Sequence, residues 1–79
     1  MDNLKIFAER LRKLREEKNI SQEELAQAIG TGKATICQYE KCTRVPKFDI
    51  MLKIIQYFNE DINWMVGITD IRRIKKIAQ

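Results

Sequence analysis

The sequence predicts an all-α fold: a compact bundle of five helices, extended by an additional helix at the C-terminus. Three observations predict it. Proline occurs once and glycine three times in 79 residues, so little interrupts helical backbone and the turns must be short. Apolar residues recur at helical spacing in successive segments separated by two- to five-residue polar breaks. A Ser-x-x-Glu box at Ser21 and Glu24 marks a helix start inside the chain.

The elements follow in order. Over 3–18, Leu4, Phe7, Ala8, Leu11 and Leu14 form an apolar stripe, with Lys5, Glu9, Arg12, Lys13 and Glu16 opposite. Ser21 caps a second, short helix whose inward residues are Leu25, Ala26 and Ile29. Ile20 and Leu25 sit at the hydrophobic-staple positions, and Gly30 ends the helix. Gly30-Thr31-Gly32 is a turn, with positive φ expected at Gly30. A third helix runs from about Lys33 to Lys41 and has only Ile36 and Tyr39 as apolar anchors. After a loop at 42–46, the segment Phe48–Phe58 carries an inward set of Phe48, Met51, Leu52, Ile55 and Phe58. Its second stripe, Ile50, Ile54 and Tyr57, hints at a partner. Asp61 caps a short helix over 62–66 that Gly67 ends. The tail, 68–79, sets Ile68, Ile71, Ile74 and Ile77 three apart among Arg72, Arg73, Lys75 and Lys76. The organisation read from this is a domain over 1–67 and a basic helical tail over 68–79.

A chain of this length is marginal for one core, and an enzyme reading finds little in it. There is no histidine, no inward pair of carboxylates and no base for a cysteine nucleophile. Gly30-Thr31-Gly32-Lys33 lacks the first glycine and the strand of a phosphate-binding loop. Cys37 and Cys42 are too few ligands for a zinc site, and five positions apart they face different ways on a helix. No cofactor, metal or small-molecule ligand is expected. No apolar run is long enough to span a membrane and no leader is evident, so the expected location is the cytoplasm.

Net charge is +4, distributed as +2 over 1–20, −2 over 21–30, +3 over 31–47, −2 over 48–67 and +3 over 68–79. Basic charge therefore gathers on the third helix and its following loop, and again at the C-terminus, which favours an anionic partner.

Two short helices joined by a three-residue glycine turn are a helix-turn-helix. Ala26 is the small residue where the second helix crosses the first, and Ile36 and Tyr39 lock that second helix onto Leu25 and Ile29. The segments ERLRKLREEKNISQEELAQAIG, ATICQYEK, a proline and INWMVG, in that order over Glu9–Gly67, resemble the phage-repressor-type helix-turn-helix family (Cro/cI, XRE-like). The resemblance implies a lambda-repressor-like domain that dimerises on a palindromic double-stranded DNA operator with the third helix in the major groove. It implies base-facing positions at Lys33, Ala34, Cys37 and Gln38, and phosphate contacts at Gln22, Thr35, Lys41, Arg44 and Lys47. It also implies a buried pair, Arg15 with Glu40, joining the first helix to the third. Departures from the family pattern are Gly32 in place of a Ser or Thr cap, Gln38 in place of a basic residue, Cys42 in place of a glycine, and Glu60 in place of an apolar residue.

Side-chain chemistry adds a readout: Lys33 to guanine O6/N7, Gln38 bidentate to adenine, and Ala34 against a thymine methyl. The implied function is a sequence-specific transcriptional regulator, a repressor, encoded by a bacterium or phage. The competing function is a helical protein–protein module, antitoxin-like or a regulatory adaptor. Three features each admit more than one role. Cys37 is a redox switch or a small neutral contact. Ile50, Tyr57 and Trp64 form a homodimer face or belong to the core. The tail is a solvated helix, a dimerisation arm or a second phosphate contact.

Overall fold

The computed structural model describes residues 2–72. It contains five helices and, among the described residues, no strand: α1 (Asn3–Glu17), α2 (Gln22–Ile29), α3 (Lys33–Glu40), α4 (Phe48–Phe58) and α5 (Ile62–Met65). The all-α, five-helix expectation holds.

Each boundary has a local cause. The Asp2 carboxylate caps α1 by accepting from the Leu4 and Lys5 amides at 3.1 and 3.3 Å. Asn19 ends that helix in the left-handed region (φ 56°), and the Ile20 amide reaches back to the Arg15 carbonyl at 3.2 Å, the closing bond of a Schellman turn. Asn59 ends α4 in the same left-handed conformation (φ 52°). Asp61 caps α5 through the Asn63 amide. Gly67, at φ +80°, lies against α1: a Cβ there would stand 2.8 Å from Ile6 Cδ1. That position therefore requires glycine twice over, for its dihedral and for its close approach.

All five helices contribute to one core. Phe7, Leu11 and Leu14 of α1 meet Leu25, Ala26 and Ile29 of α2, Ile36 and Tyr39 of α3, Ile54, Ile55 and Phe58 of α4, and Trp64 and Met65 of α5. Ile20 packs on the rim of this cluster, as a staple residue should.

Three expectations are corrected here. The buried face of α4 is Ile54, Ile55 and Phe58, with Ile50 and Met51 packed against it, while Phe48 is 68% exposed. The helix is rotated so that its core face takes residues from both apolar stripes. Phe48, in the first turn, is left outside the core. Trp64 is not on a surface face: it is only 4% exposed and belongs to this chain's own core. Of the three residues considered for a dimer face, Ile50 is half-buried and Tyr57 alone is well exposed. The expected tail helix is absent over 68–72, where the chain is irregular. The remainder of that expected helix, 73–79, lies outside the described residues. Among the described residues, no helix is long and apolar enough to cross a membrane.

Candidate nucleic-acid interface

The site is built from the turn outward. Ser21 Oγ accepts from the Glu24 amide at 3.0 Å, and the Glu24 carboxylate accepts from the Ser21 amide at 2.7 Å. This reciprocal pair satisfies two of the donors that a helix start leaves unpaired. At the other end of α2, Gly30 takes φ 89°, and the amides of Gly30 and Thr31 both donate to the Ala26 carbonyl at 2.8 Å. A Cβ at Gly30 would meet nothing within 4 Å, so the dihedral alone calls for glycine there. The turn then delivers the chain to Gly32, which starts α3 with no side-chain cap.

α3 is fixed mainly by its inward edge. Ile36 is fully buried and Tyr39 is 5% exposed. Positions 33, 34, 37 and 38 lie on the opposite side, because residues three and four apart share a helix face. Lys33, Ala34 and Gln38 are exposed, and Cys37 is half-buried. Thr35 is half-buried at the edge of this strip, and Lys41, Arg44 and Lys47 are exposed beyond it. The structure thus brings the four residues expected to face bases together on one side of α3. Both cysteines are free thiols.

Glu40 is the one acidic residue in 31–47, and it is turned away from this surface. Its carboxylate is 4% exposed and lies 2.6 Å from Arg15 Nε. Arg15 Nη2 adds a second bond at 3.1 Å, and Arg15 Nη1 donates to the Ile20 carbonyl at 2.9 Å. The hydrogen bond to Glu40 pushes the Arg15 guanidinium above its ordinary value, so it stays charged. The exposed ionic groups of 31–47 are therefore all cationic. Gln22, at the start of α2, spends one amide hydrogen on Glu40 Oε1 at 3.0 Å, leaving the other for an outside acceptor.

A second polar cluster lies at the junction of α1, α5 and the irregular segment 68–72, the C-terminal strap, and sequence reasoning does not find it. The guanidinium carbons of Arg10 and Arg72 each lie over the Trp64 ring, 4.7 and 4.8 Å from its centroid. Arg10 donates to the Trp64 and Thr69 carbonyls and pairs with Asp70. Arg72 Nη2 bridges Glu60 at 2.8 Å and Glu17 at 2.9 Å. The Glu60 carboxylate is only 7% exposed, which accounts for an acid where the family has an apolar residue: the strap carries its partner. A buried acid in search of an arginine was the available signal.

The fold and the α2–turn–α3 geometry define a helix-turn-helix protein. A helix-turn-helix domain family matches residues 8–71. The chain belongs to the helix-turn-helix family of the phage-repressor type. It is 37% identical over 62 residues to the cryptic phage CTXphi transcriptional repressor RstR of Vibrio cholerae, covering 78% of this chain and 56% of that one. It is 28% identical over 65 residues to YobD, an uncharacterized HTH-type transcriptional regulator of Bacillus subtilis (strain 168), covering 82% of this chain and 58% of that one. The chain thus spans a little over half the length of these two relatives. Among solved structures it resembles the P22 c2 repressor protein in complex with a synthetic operator, with a TM-score of 0.72 and 22% identity, over 76% of this chain and 91% of that one. At that identity the likeness speaks for the fold.

Proposed function

We propose that this protein is a sequence-specific DNA-binding transcriptional repressor. It binds a palindromic operator as a homodimer, with α3 of each protomer in the major groove and half-sites about one helical turn, ~34 Å, apart. The observation that carries this reading is the surface of α3: a strip of Lys33, Ala34, Cys37 and Gln38, flanked by exposed Lys41, Arg44 and Lys47, with the only acid of the segment withdrawn onto Arg15. Short polar side chains over a cationic border suit base edges between phosphates. The kinship with a phage repressor supports the regulatory role, which is exercised by occupying a promoter. With Trp64 in the core, a dimer face would draw on Tyr57 and Ile50.

Selection of bound duplexes from a random pool tests the reading, with binding then measured against salt. A palindromic consensus is expected. Three cationic phosphate contacts per protomer, six per dimer, give a slope of log affinity on log salt of about −5. Failure to enrich any sequence would refute it. A second reading, a protein–protein module, draws on the exposure of Phe48 (68%) and Val45 (58%) beside α3. Salt-insensitive capture of a protein with no duplex enriched would favour it.

A further inference from the structure

The loop after α3 is tied to one residue of that helix. Cys42 takes φ 59° and turns the chain back. The Thr43 amide and hydroxyl then both donate to the Gln38 carbonyl, at 3.0 and 3.3 Å. This holds Arg44 beside the Gln38 side chain. Arg44 Nη1 lies 3.4 Å from Gln38 Oε1 and 3.4 Å from Thr35 Oγ1. Thr35 and Gln38 are neighbours one turn apart on the edge of α3, so a single guanidinium nitrogen, with two hydrogens, spans both.

A guanidinium has donors only, whereas a carboxamide has an acceptor end and a donor end that are nearly alike in shape. The end of Gln38 that faces Arg44 must therefore be its oxygen, and the NH2 is the end left to face outward. We propose that Arg44 is a positioning residue for base readout: it fixes the orientation of the Gln38 carboxamide, so that Gln38 presents its NH2 to the groove and selects a base edge bearing an acceptor. This rests on the DNA-binding reading above. It replaces the free, two-ended Gln38 with a donor that donates to adenine N7, guanine N7/O6 or thymine O4 and disfavours cytosine, whose N4 presents a second donor. Arg44 Nε and Nη2 remain for a phosphate, so the residue joins backbone contact to base choice. The hydroxyl hydrogen of Thr35 likewise remains for a phosphate, since its oxygen serves as acceptor.

The test is selection from a random duplex pool with the full chain, comparing base preference position by position. Gln38→Ala identifies the position that Gln38 reads, as the one whose preference flattens. The wild-type protein is expected to disfavour cytosine there by about tenfold. Arg44→Ala should remove most of that discrimination at the same position while leaving the rest of the consensus intact. Arg44→Lys, still a donor, should restore it in part. Thr35→Val, which removes the second anchor of Nη1 and keeps the shape, should relax the same position less than Arg44→Ala. Melting curves of each variant show that the fold persists, as expected for residues outside the core. If Arg44→Ala weakens every sequence equally and the cytosine discrimination stays, Arg44 is a phosphate contact alone and the inference is wrong. A Gln38→Ala variant that flattens no position overturns it as well. No enriched duplex with the wild type removes the DNA-binding reading and this inference together, whereas a clear consensus indifferent to Arg44 removes only the inference.

Discussion

Two buried glutamates in this domain are each held by an arginine, and the two sites differ in what carries the partners. Glu40 sits at the end of α3, and Arg15 reaches it from α1, so both partners stand on regular helices packed against the core. Glu60 follows α4 in a loop, and Arg72 reaches it from an irregular strap, with Glu17 and the Trp64 ring sharing the same guanidinium. The first pair is nearly dry, with side chains 14% and 4% exposed; in the second the arginine is 32% exposed. A buried ion pair fixes geometry more than it adds net stability, but removing one partner strands the other's charge. The first pair sets the placement of α3 against α1. The second sets where the chain lies after α5.

The comparison breaks most visibly at Arg15. Arg15→Ala leaves Glu40 without its compensating charge at 4% exposure and should cost ~3–5 kcal/mol in urea unfolding. For a domain this small that is a large part of the whole. Arg72→Ala should cost less, ~1–2 kcal/mol, because water reaches the guanidinium and screens the pair. Trp64 is the only tryptophan, so its fluorescence reports the second site alone. Acrylamide should quench Arg72→Ala more strongly than wild type, and Arg15→Ala at the same folded fraction should not differ from wild type. Equal losses for the two arginines, or an unchanged quenching constant in Arg72→Ala, would show that the sites do not differ as described.

The same contrast explains what is legible in the sequence. The capping box at Ser21, the positive φ at Gly30 and the anchoring of α3 by Ile36 and Tyr39 depend on spacings of three to four residues, which periodicity and turn chemistry report directly. Arg15 and Glu40 are reached through family resemblance, not through any local pattern. The α4 face is misjudged from sequence because two apolar stripes compete there, and only packing on the neighbouring helices decides the rotation. The Glu60–Arg72 pair escapes notice because its partners meet across an irregular segment that no period describes. Trp64 is open to a surface reading for the same reason: the groups that cover it, Arg10 and Arg72, come from 54 residues before it and from the strap after it.

The two inner helices give a second, smaller contrast. α2 begins with a full capping box, while α3 begins at Gly32 with no side-chain acceptor. Gly32 has φ −101° and open space where a Cβ would go, so serine fits without strain. Gly32→Ser should stabilise the domain by ~0.5–1 kcal/mol, through the added cap and a less flexible unfolded chain. The melting temperature measures it. A neutral result would mean that the inward anchors Ile36 and Tyr39 already hold the first turn of α3.

The smallest expected effect comes from the exposed rim of the strap site. The hydrogen bond from Arg72 holds the Glu17 carboxyl below its ordinary 4.5, against a weaker opposing effect of burial. A carboxyl with a depressed folded value adds stability above its unfolded value and loses it as pH falls through the folded value. Wild type should therefore lose more stability than Glu17→Gln on acidification below about 4.5, where every other carboxylate is common to both. The gap between them at neutral pH should close at the acid end. Because Glu17 is 39% exposed, that gap should also shrink with added salt, since screening weakens exposed pairs first. Parallel acid profiles at low salt would mean that Arg72 is held by Glu60 and Trp64 alone. The strap would then rest on the buried contacts, as α3 does, and the distinction between the two sites would lie only in the backbone that carries them.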